Sequence, residues 1–425
     1  MKTIVLDDDP TGTQSATGVT VLLDTDAAVL ADSLEAALAG ADAVYVQTNS
    51  RALPEEEAVA LARRIRDDAL AVAARLGVEV RFVLRGDSTL RGHVFAETGV
   101  FLADDAVMLF VPAFPDGGRT TRDCVHYVRV AGEDVPAHES EYADDPVFGF
   151  GTGVLVDYVA EKSSRLAIPV HLEEVRVGGL ARVLAAAPAG SVVVPDAVTD
   201  DDIRLIAEAT DAATRGGTSV VVRSASPLAA ALAGVASDGL LPTPLEGAGG
   251  AVLLACGSHT AGATAQLDAV VADWGWPAVI DTDAALVDPV EAGRRAASAA
   301  RDRLADRPLA FVTTERQRSS SHNTLAHGEL VMTALTTAVR DLLPDVSVVV
   351  AKGGITSAEV ARTGIGARSA VVLGQVLPGV SAWRMTAHDG REVLYVVVPG
   401  NVGGPDTLVR ALEAVGLRQP AGASA

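Results

Sequence analysis

Residues 1–14 read MKTIVLDDDPTGTQ: an apolar run at 3–6 stops on three adjacent carboxylates, Asp7, Asp8 and Asp9, and then turns at Pro10 and Gly12. A short apolar run bounded by turn residues reads as a buried strand. The same unit recurs downstream. Residues 43–47 run into Thr48-Asn49-Ser50-Arg51, residues 80–84 into Arg85-Gly86-Asp87-Ser88-Thr89-Leu90-Arg91-Gly92, and residues 107–111 into a Pro/Gly-rich loop at 112–121. Further strand-like runs lie at 19–23, 191–194 and 219–222, and Ala-rich amphipathic stretches fill 27–38, 55–76, 92–102, 151–164, 178–186, 201–214 and 227–234. This alternation predicts βαβ units and a mainly parallel sheet covered by helices.

Periodicity breaks at 237–250, SDGLLPTPLEGAGG, and then restarts. Strands are predicted at 251–255, 278–281, 310–313, 347–350, 370–375 and 393–397, with helices at 260–272, 288–304, 323–343, 356–363 and 406–415. The expected architecture is two α/β domains, 1–236 and 251–418, with mainly parallel sheets and an interdomain cleft. Ligands of such sheets sit beyond the carboxyl ends of strands, so the chemistry belongs in the loops just after them.

The bulk composition agrees. The chain has 425 residues, 49% of them hydrophobic and only 4% aromatic, which is enough apolar material for two cores built from Ala, Val and Leu. Its formal charge of −21 repels phosphate backbones, so nucleic acid is not an expected partner. Two distant cysteines, Cys124 and Cys256, imply no disulfide framework. The N-terminus has no signal-peptide h-region and no run is long enough to span a bilayer, so the expected location is the cytoplasm, away from membranes. Oligomeric state is open, and a homo-oligomer is compatible with the sequence.

In the first half, Asp7–Asp9 repel one another unless cations or hydroxyls compensate. The turn at Pro10–Gly12 can present Asp8 or Asp9 to a ligand, for hydroxyl binding, Mg2+ contact or proton acceptance. Arg51 offers a guanidinium fork for a carboxylate, and the 85–92 loop, with Arg85 and Arg91, offers a seat for a carboxylate or a phosphate. Ser88 or Thr89 is expected to cap a helix starting near Gly92. Arg119, after paired Gly117 and Gly118, adds a further positive charge to the fourth loop, while His126 and Tyr127 read as structural. Four polar loops after strands point to a ligand with a carboxylate and hydroxyls together.

In the second half, Gly257-Ser258-His259-Thr260, Lys352-Gly353-Gly354-Ile355-Thr356-Ser357 and Pro399-Gly400-Asn401-Val402-Gly403-Gly404 each lie between a predicted strand and helix. Such turns can hold a phosphate through bare amides, and Lys352 can meet its charge. No G-x-x-x-x-G-K-[ST] is present, so this is not a P-loop protein. His322 and His327, five apart, are off a shared helical face for a metal. Arg316, Arg318 and Ser319–Ser321 receive no assignment.

On these motifs the sequence resembles the four-carbon acid sugar kinase family, whose members phosphorylate threonate, erythronate or 3-oxo-tetronate with ATP. The resemblance covers nearly the whole chain. It implies a sugar-acid-binding domain at 1–236 and a nucleotide-binding domain at 251–418. It implies substrate contacts from Asp8, Asp9, Arg51, Arg85, Gly86, Asp87, Ser88 and Arg91, and ATP contacts from Ser258, Gly353, Gly354, Ile355, Thr356 and Gly400, with Mg2+ as the accompanying ion. The metal ligands are left unassigned.

The expected mechanism has one of Asp8, Asp9 and Asp87 accepting the proton of a terminal hydroxyl, while Arg51 and Arg85, joined by Arg91, neutralise the substrate carboxylate. One position departs from the family: Val398 stands where relatives often carry Lys before the Pro-Gly turn, so Lys352 or an Arg must supply that charge. Two other classes compete: a metal-dependent hydrolase using Asp7–Asp9, and a non-catalytic sugar-acid or nucleotide sensor.

Overall fold

The structure, a computed structural model, describes residues 1–130, 132–237, 239–316, 325–400 and 402–418. His322, Arg318, Ser319–Ser321 and Asn401, singled out above, lie outside the described residues. The chain forms two compact units, Met1–Ser237 and Asp238–Ala425. No described helix is long and apolar enough to cross a membrane.

In the first unit the strands are β1 (Lys2–Asp7), β2 (Thr20–Leu22), β3 (Ala43–Gln47), β4 (Val80–Arg85), β5 (Val107–Val111), β6 (Arg119–Arg122), β7 (Val125–Val130), β8 (Glu133–Pro136), β9 (Ala167–Val170), β10 (Val192–Pro195) and β11 (Val220–Ser224). Eight of them form a parallel run in the order β2-β3-β1-β4-β11-β5-β10-β9. The chain passes from β1 to β2 and β3 on one side, then returns to β4 on the other. β1 is therefore the switch point of the sheet, and the loops after β1, β3 and β4 meet there.

Helix Glu55–Leu76 shows why the layers hold. Ala58, Leu61, Ala62, Ile65, Ala69, Val72 and Ala73 recur at helical spacing and are all buried. Leu61, Ala62, Ile65, Ala69 and Val72 join Ile4, Leu6, Val44 and Val46 in one apolar cluster. Glu55–Glu57 occupy the positive end of the helix, and Gly77 closes it with φ of 66°.

Residues 119–136 differ from the sequence reading, which gave them no strand. β6, β7 and β8 form a separate antiparallel sheet. Arg119-Thr120-Thr121-Arg122 has no apolar alternation, so its strand character comes only from pairing with β7.

The second unit has β12 (Val252–Cys256), β13 (Ala278–Ile280), β14 (Leu309–Thr314), β15 (Val348–Lys352), β16 (Ser369–Leu377), β17 (Val380–Thr386) and β18 (Glu392–Val398), in the order β13-β14-β12-β15-β18-β17-β16. The first five are parallel. β17, absent from the sequence reading, is antiparallel to both its neighbours. In the register of the sheet Cys256 faces Lys352, and Lys352 faces Val398. Three strands thus end level, and their three glycine turns start side by side.

Candidate active site

At the carboxyl ends of β1, β3 and β4 the predicted residues come together as a buried web of ion pairs. Asp7, the last residue of β1, is fully buried. Arg85, the last residue of β4, donates to its Oδ1 at 3.1 Å. Its Oδ2 has no hydrogen bond among the described residues. Burial pushes the Asp7 carboxyl up to about 7, against the pull of Arg85. Gly12 makes room for it, since a Cβ there would lie 2.1 Å from Asp7 Oδ1.

Arg85 also reaches Asp8 Oδ1 at 3.4 Å and the Asp9 carbonyl at 3.2 Å. Asp9 accepts from the Thr11 amide at 2.7 Å and pairs with Arg51. The other end of Arg51 meets Asp87 Oδ1 at 3.2 Å. Asp87 further accepts from Arg91 Nε at 2.8 Å and from the Thr89 hydroxyl. Arg91 and Arg51 hold the Asp87 carboxyl far below the usual carboxylate range, overcoming the opposing effect of burial. The loop from 85 to 92 bends through Leu90 (φ 69°) and Gly92 (φ 115°).

Two details correct the sequence reading. The helix after this loop is only Val94–Gly99, and neither Ser88 nor Thr89 caps it. Thr89 turns instead onto Asp87, and the Ser88 carbonyl accepts from His126 Nε2 at 2.8 Å. Thr48 and Ser50 are also occupied locally: Thr48 donates through both amide and hydroxyl to the Asp7 carbonyl or its neighbour Ser50.

The sequence reading missed Arg223 and Glu97. Arg223, near the end of β11, is 2% exposed. It donates to Asp8 Oδ2 at 3.1 Å and to Glu97 Oε2 at 2.8 Å. Gly86 exists for it, because a Cβ there would lie 2.5 Å from Arg223 Nε. The available signal was a charged residue inside a Val-rich buried strand, Val220–Ser224.

Every oxygen of Asp8 thus has a guanidinium partner, and Asp9 and Asp87 are similarly engaged. Among these acids Asp7 Oδ2 is the one buried oxygen left without a hydrogen bond among the described residues, so the web offers at most one open carboxylate ligand to Mg2+. A cavity of about 970 Å³ in this unit touches Gly92 and His93 but none of these acids or arginines. The charged groups converge in the ion-pair web and not at that cavity.

In the second unit the three glycine turns converge. A Cβ on Gly353 would lie 3.0 Å from Ser258 Cβ, and one on Gly400 would lie 3.4 Å from Ser258 Oγ and 3.9 Å from Gly353 Cα. Gly353 has φ of 113° and precedes helix Gly354–Glu359. Thr356 is buried and Ile355 is 55% exposed. Thr260, not Ser258, caps helix Ala261–Trp274, through the Ala263 amide at 3.1 Å. The Ser258 hydroxyl is therefore released from capping.

Lys352 is completely buried, and its Nζ donates to the Pro399 carbonyl at 2.6 Å. Burial pulls its pKa down to about 8. Arg316 gives one bond to Thr264 Oγ1 at 2.8 Å, while its Nε and Nη1 have no partner among the described residues.

Known proteins match on both units. A family model described as a sugar-binding N-terminal domain matches residues 3–232, and one described as a nucleotide-binding C-terminal domain matches residues 253–408. A D-erythronate kinase of Heliobacterium modesticaldum is 34% identical over 54% of this chain, and the match spans 50% of that protein's own length. A 3-oxo-tetronate kinase of Methylobacterium radiotolerans is 28% identical over 89% of this chain and 90% of its own.

Two crystal structures share the fold. A protein of Salmonella typhimurium LT2 gives a TM-score of 0.70 at 19% identity, covering 96% of this chain and 98% of that one. A protein of Haemophilus influenzae gives 0.61 at 20% identity, covering 96% and 99%. The chain belongs to the four-carbon acid sugar kinase family.

Proposed function

We propose that the protein is an ATP-dependent kinase that phosphorylates the terminal hydroxyl of a four-carbon sugar acid of the threonate, erythronate or 3-oxo-tetronate type. The observation that carries the nucleotide half is the meeting of Ser258, Gly353 and Gly400, with Thr260 rather than Ser258 serving as the helix cap. Bare amides, the Ser258 hydroxyl and the cations Lys352 and Arg316 suit a polyphosphate. Gly354, Ile355 and Thr356 complete that turn.

The hydroxyl-binding half is the web around Asp8, Asp9, Arg51, Arg85, Gly86, Asp87, Ser88 and Arg91. The relatives supply the acceptor class, being named for D-erythronate, 3-oxo-tetronate and D-threonate.

In this reading the sugar-acid hydroxyl oxygen forms a bond to the γ-phosphorus. The bond from that phosphorus to the β,γ-bridging oxygen breaks, giving a phosphorylated acid and ADP. Asp87, held strongly acidic, orients and does not take the proton. Asp8 or Asp9 accepts it. Arg51, shared between Asp9 and Asp87, fixes the two loops relative to each other. Any Mg2+ is carried by the phosphates of the nucleotide.

The test is ADP release with ATP and a panel of four-carbon sugar acids. Release with at least one acid, and none without acid, is expected. Binding of both ligands without release would make the protein a sensor. Turnover of a phosphate ester with no nucleotide would make it a hydrolase.

A further inference from the structure

The cations assigned above to the substrate carboxylate each have a carboxylate already. Arg51 pairs with Asp9 and Asp87, Arg85 with Asp7 and Asp8, and Arg91 with Asp87 and Asp145. Arg223, beside them, pairs with Asp8 and Glu97. A substrate anion added to that web would have to displace a protein carboxylate, leaving it buried and uncompensated.

Arg119 is different. It is 7% exposed and has no ion pair among the described residues. Its Nη1 donates to the Gly117 carbonyl. Its Nε is buried with no partner among the described residues, and Nη2 makes no hydrogen bond among them either. What is left is one edge of the guanidinium, Nε with Nη2. That edge takes a carboxylate in a fork. Arg176 of this same chain grips Asp202 with it, at 2.8 and 3.2 Å.

Arg119 is also aimed and fixed. Phe114 and Arg119 exchange both backbone hydrogen bonds, at 2.8 and 2.9 Å, across a tight turn. Gly117 packs on the Phe114 ring, where a Cβ would lie 2.4 Å away. Along β6, Arg119 and Thr121 share a face. Thr121 Oγ1 donates to His126 Nδ1 at 3.1 Å, and His126 Nε2 donates to the Ser88 carbonyl in the predicted substrate loop. His126 is neutral, because burial and the charge of Arg119 both lower its pKa, to about 4. It therefore neither competes for an anion nor offsets one. A buried guanidinium with an unpaired edge and no counter-ion costs stability unless an anion completes it.

We infer that Arg119 is the specificity residue that takes the carboxylate of the sugar acid, through its Nε and Nη2 edge. Asp8, Asp9, Arg51, Arg85, Asp87 and Arg91 are then the frame that orients hydroxyls. This assignment rests on the sugar-acid reading of the first unit.

The test compares wild type with Arg119→Gln and Arg119→Lys on D-threonate or D-erythronate and on the matching four-carbon polyol, which lacks the carboxylate. Binding of the acid without ATP is measured by calorimetry, and turnover by ADP release. Arg119→Gln is expected to weaken binding of the acid by roughly 10- to 100-fold and to raise its KM similarly. Handling of the polyol and ATP affinity should be unchanged. Arg119→Lys should fall between, since it keeps the charge and loses the fork.

An equal loss for acid and polyol, or unchanged acid binding, overturns the assignment while leaving a kinase intact. If wild type binds and phosphorylates no sugar acid, the functional reading itself fails. Retained ATP affinity and a melting temperature no lower than that of wild type show that the variants are folded.

Discussion

Arg223 Nη2 donates to Asp8 Oδ2 at 3.1 Å, joining residues 215 apart in the chain, and both side chains are 2% exposed. The order of the sheet makes this possible: β11 inserts between β4 and β5, so its end lies one strand beyond that of β4. The same guanidinium serves Glu97, so one cation neutralises two buried acids.

Removing that cation should be severe. Arg223→Met leaves Asp8 and Glu97 buried without it, a change expected to cost about 3–5 kcal/mol. For a unit of this size that is a fall of roughly 6–20 °C in the melting temperature. Thermal unfolding followed by circular dichroism measures it. A variant melting with wild type would mean the pair contributes nothing.

Lys352 gives two pH effects of opposite sign. Its pKa in the folded protein, about 8, lies below the ordinary lysine value of 10.5. Between these values the unfolded chain holds the extra proton, so folding stability from this group rises with pH across that interval. The ammonium that would meet a phosphate is lost over the same range. The KM for ATP should therefore climb above about pH 8 while the ligand-free protein becomes harder to unfold. Lys352→Met should have a high, flat KM and lose the stability slope. Denaturant titrations and ATP saturation curves at pH 7, 8, 9 and 10 check both, and a KM or a stability that fails to rise between pH 8 and 10 in wild type would refute this account.

Gly353 tests the nucleotide turn separately from the sugar-acid web. At φ of 113° any side chain is strained, and the added Cβ would press on Ser258 Cβ at 3.0 Å. Gly353→Ala is expected to weaken ATP binding by roughly 5- to 150-fold, the size of a strain of about 1–3 kcal/mol. Binding of the sugar acid to the other unit should be unchanged, which calorimetry with each ligand alone will read. Equal loss of both ligands would point to general misfolding.

Most of the framework was legible in the sequence. The alternation of apolar runs and amphipathic stretches located seven of the first unit's strands and six of the second's to within a few residues, because burial on both faces of a parallel sheet leaves a local signature. The missed strands are β6, β7, β8, β9 and β17. Arg119–Arg122 is polar, Ala167–Val170 contains Pro169, and Val380–Thr386 follows a two-residue turn; each is a strand only because a neighbour pairs with it.

The site divides in the same way. Which loops carry acids, arginines and glycines could be read from residues following apolar runs, and those loops do meet. Which arginine faces which carboxylate could not. Arg51, Arg85 and Arg91 looked like open cations, yet the fold gives each a carboxylate. Arg119 read only as added charge in its loop and Lys352 as a cation for a phosphate, and the fold buries both with no carboxylate partner among the described residues. Local composition sets strands and turns because it acts between near neighbours. The pairing of charges is set by strand order, which brings together residues hundreds of positions apart, and only the folded chain decides it.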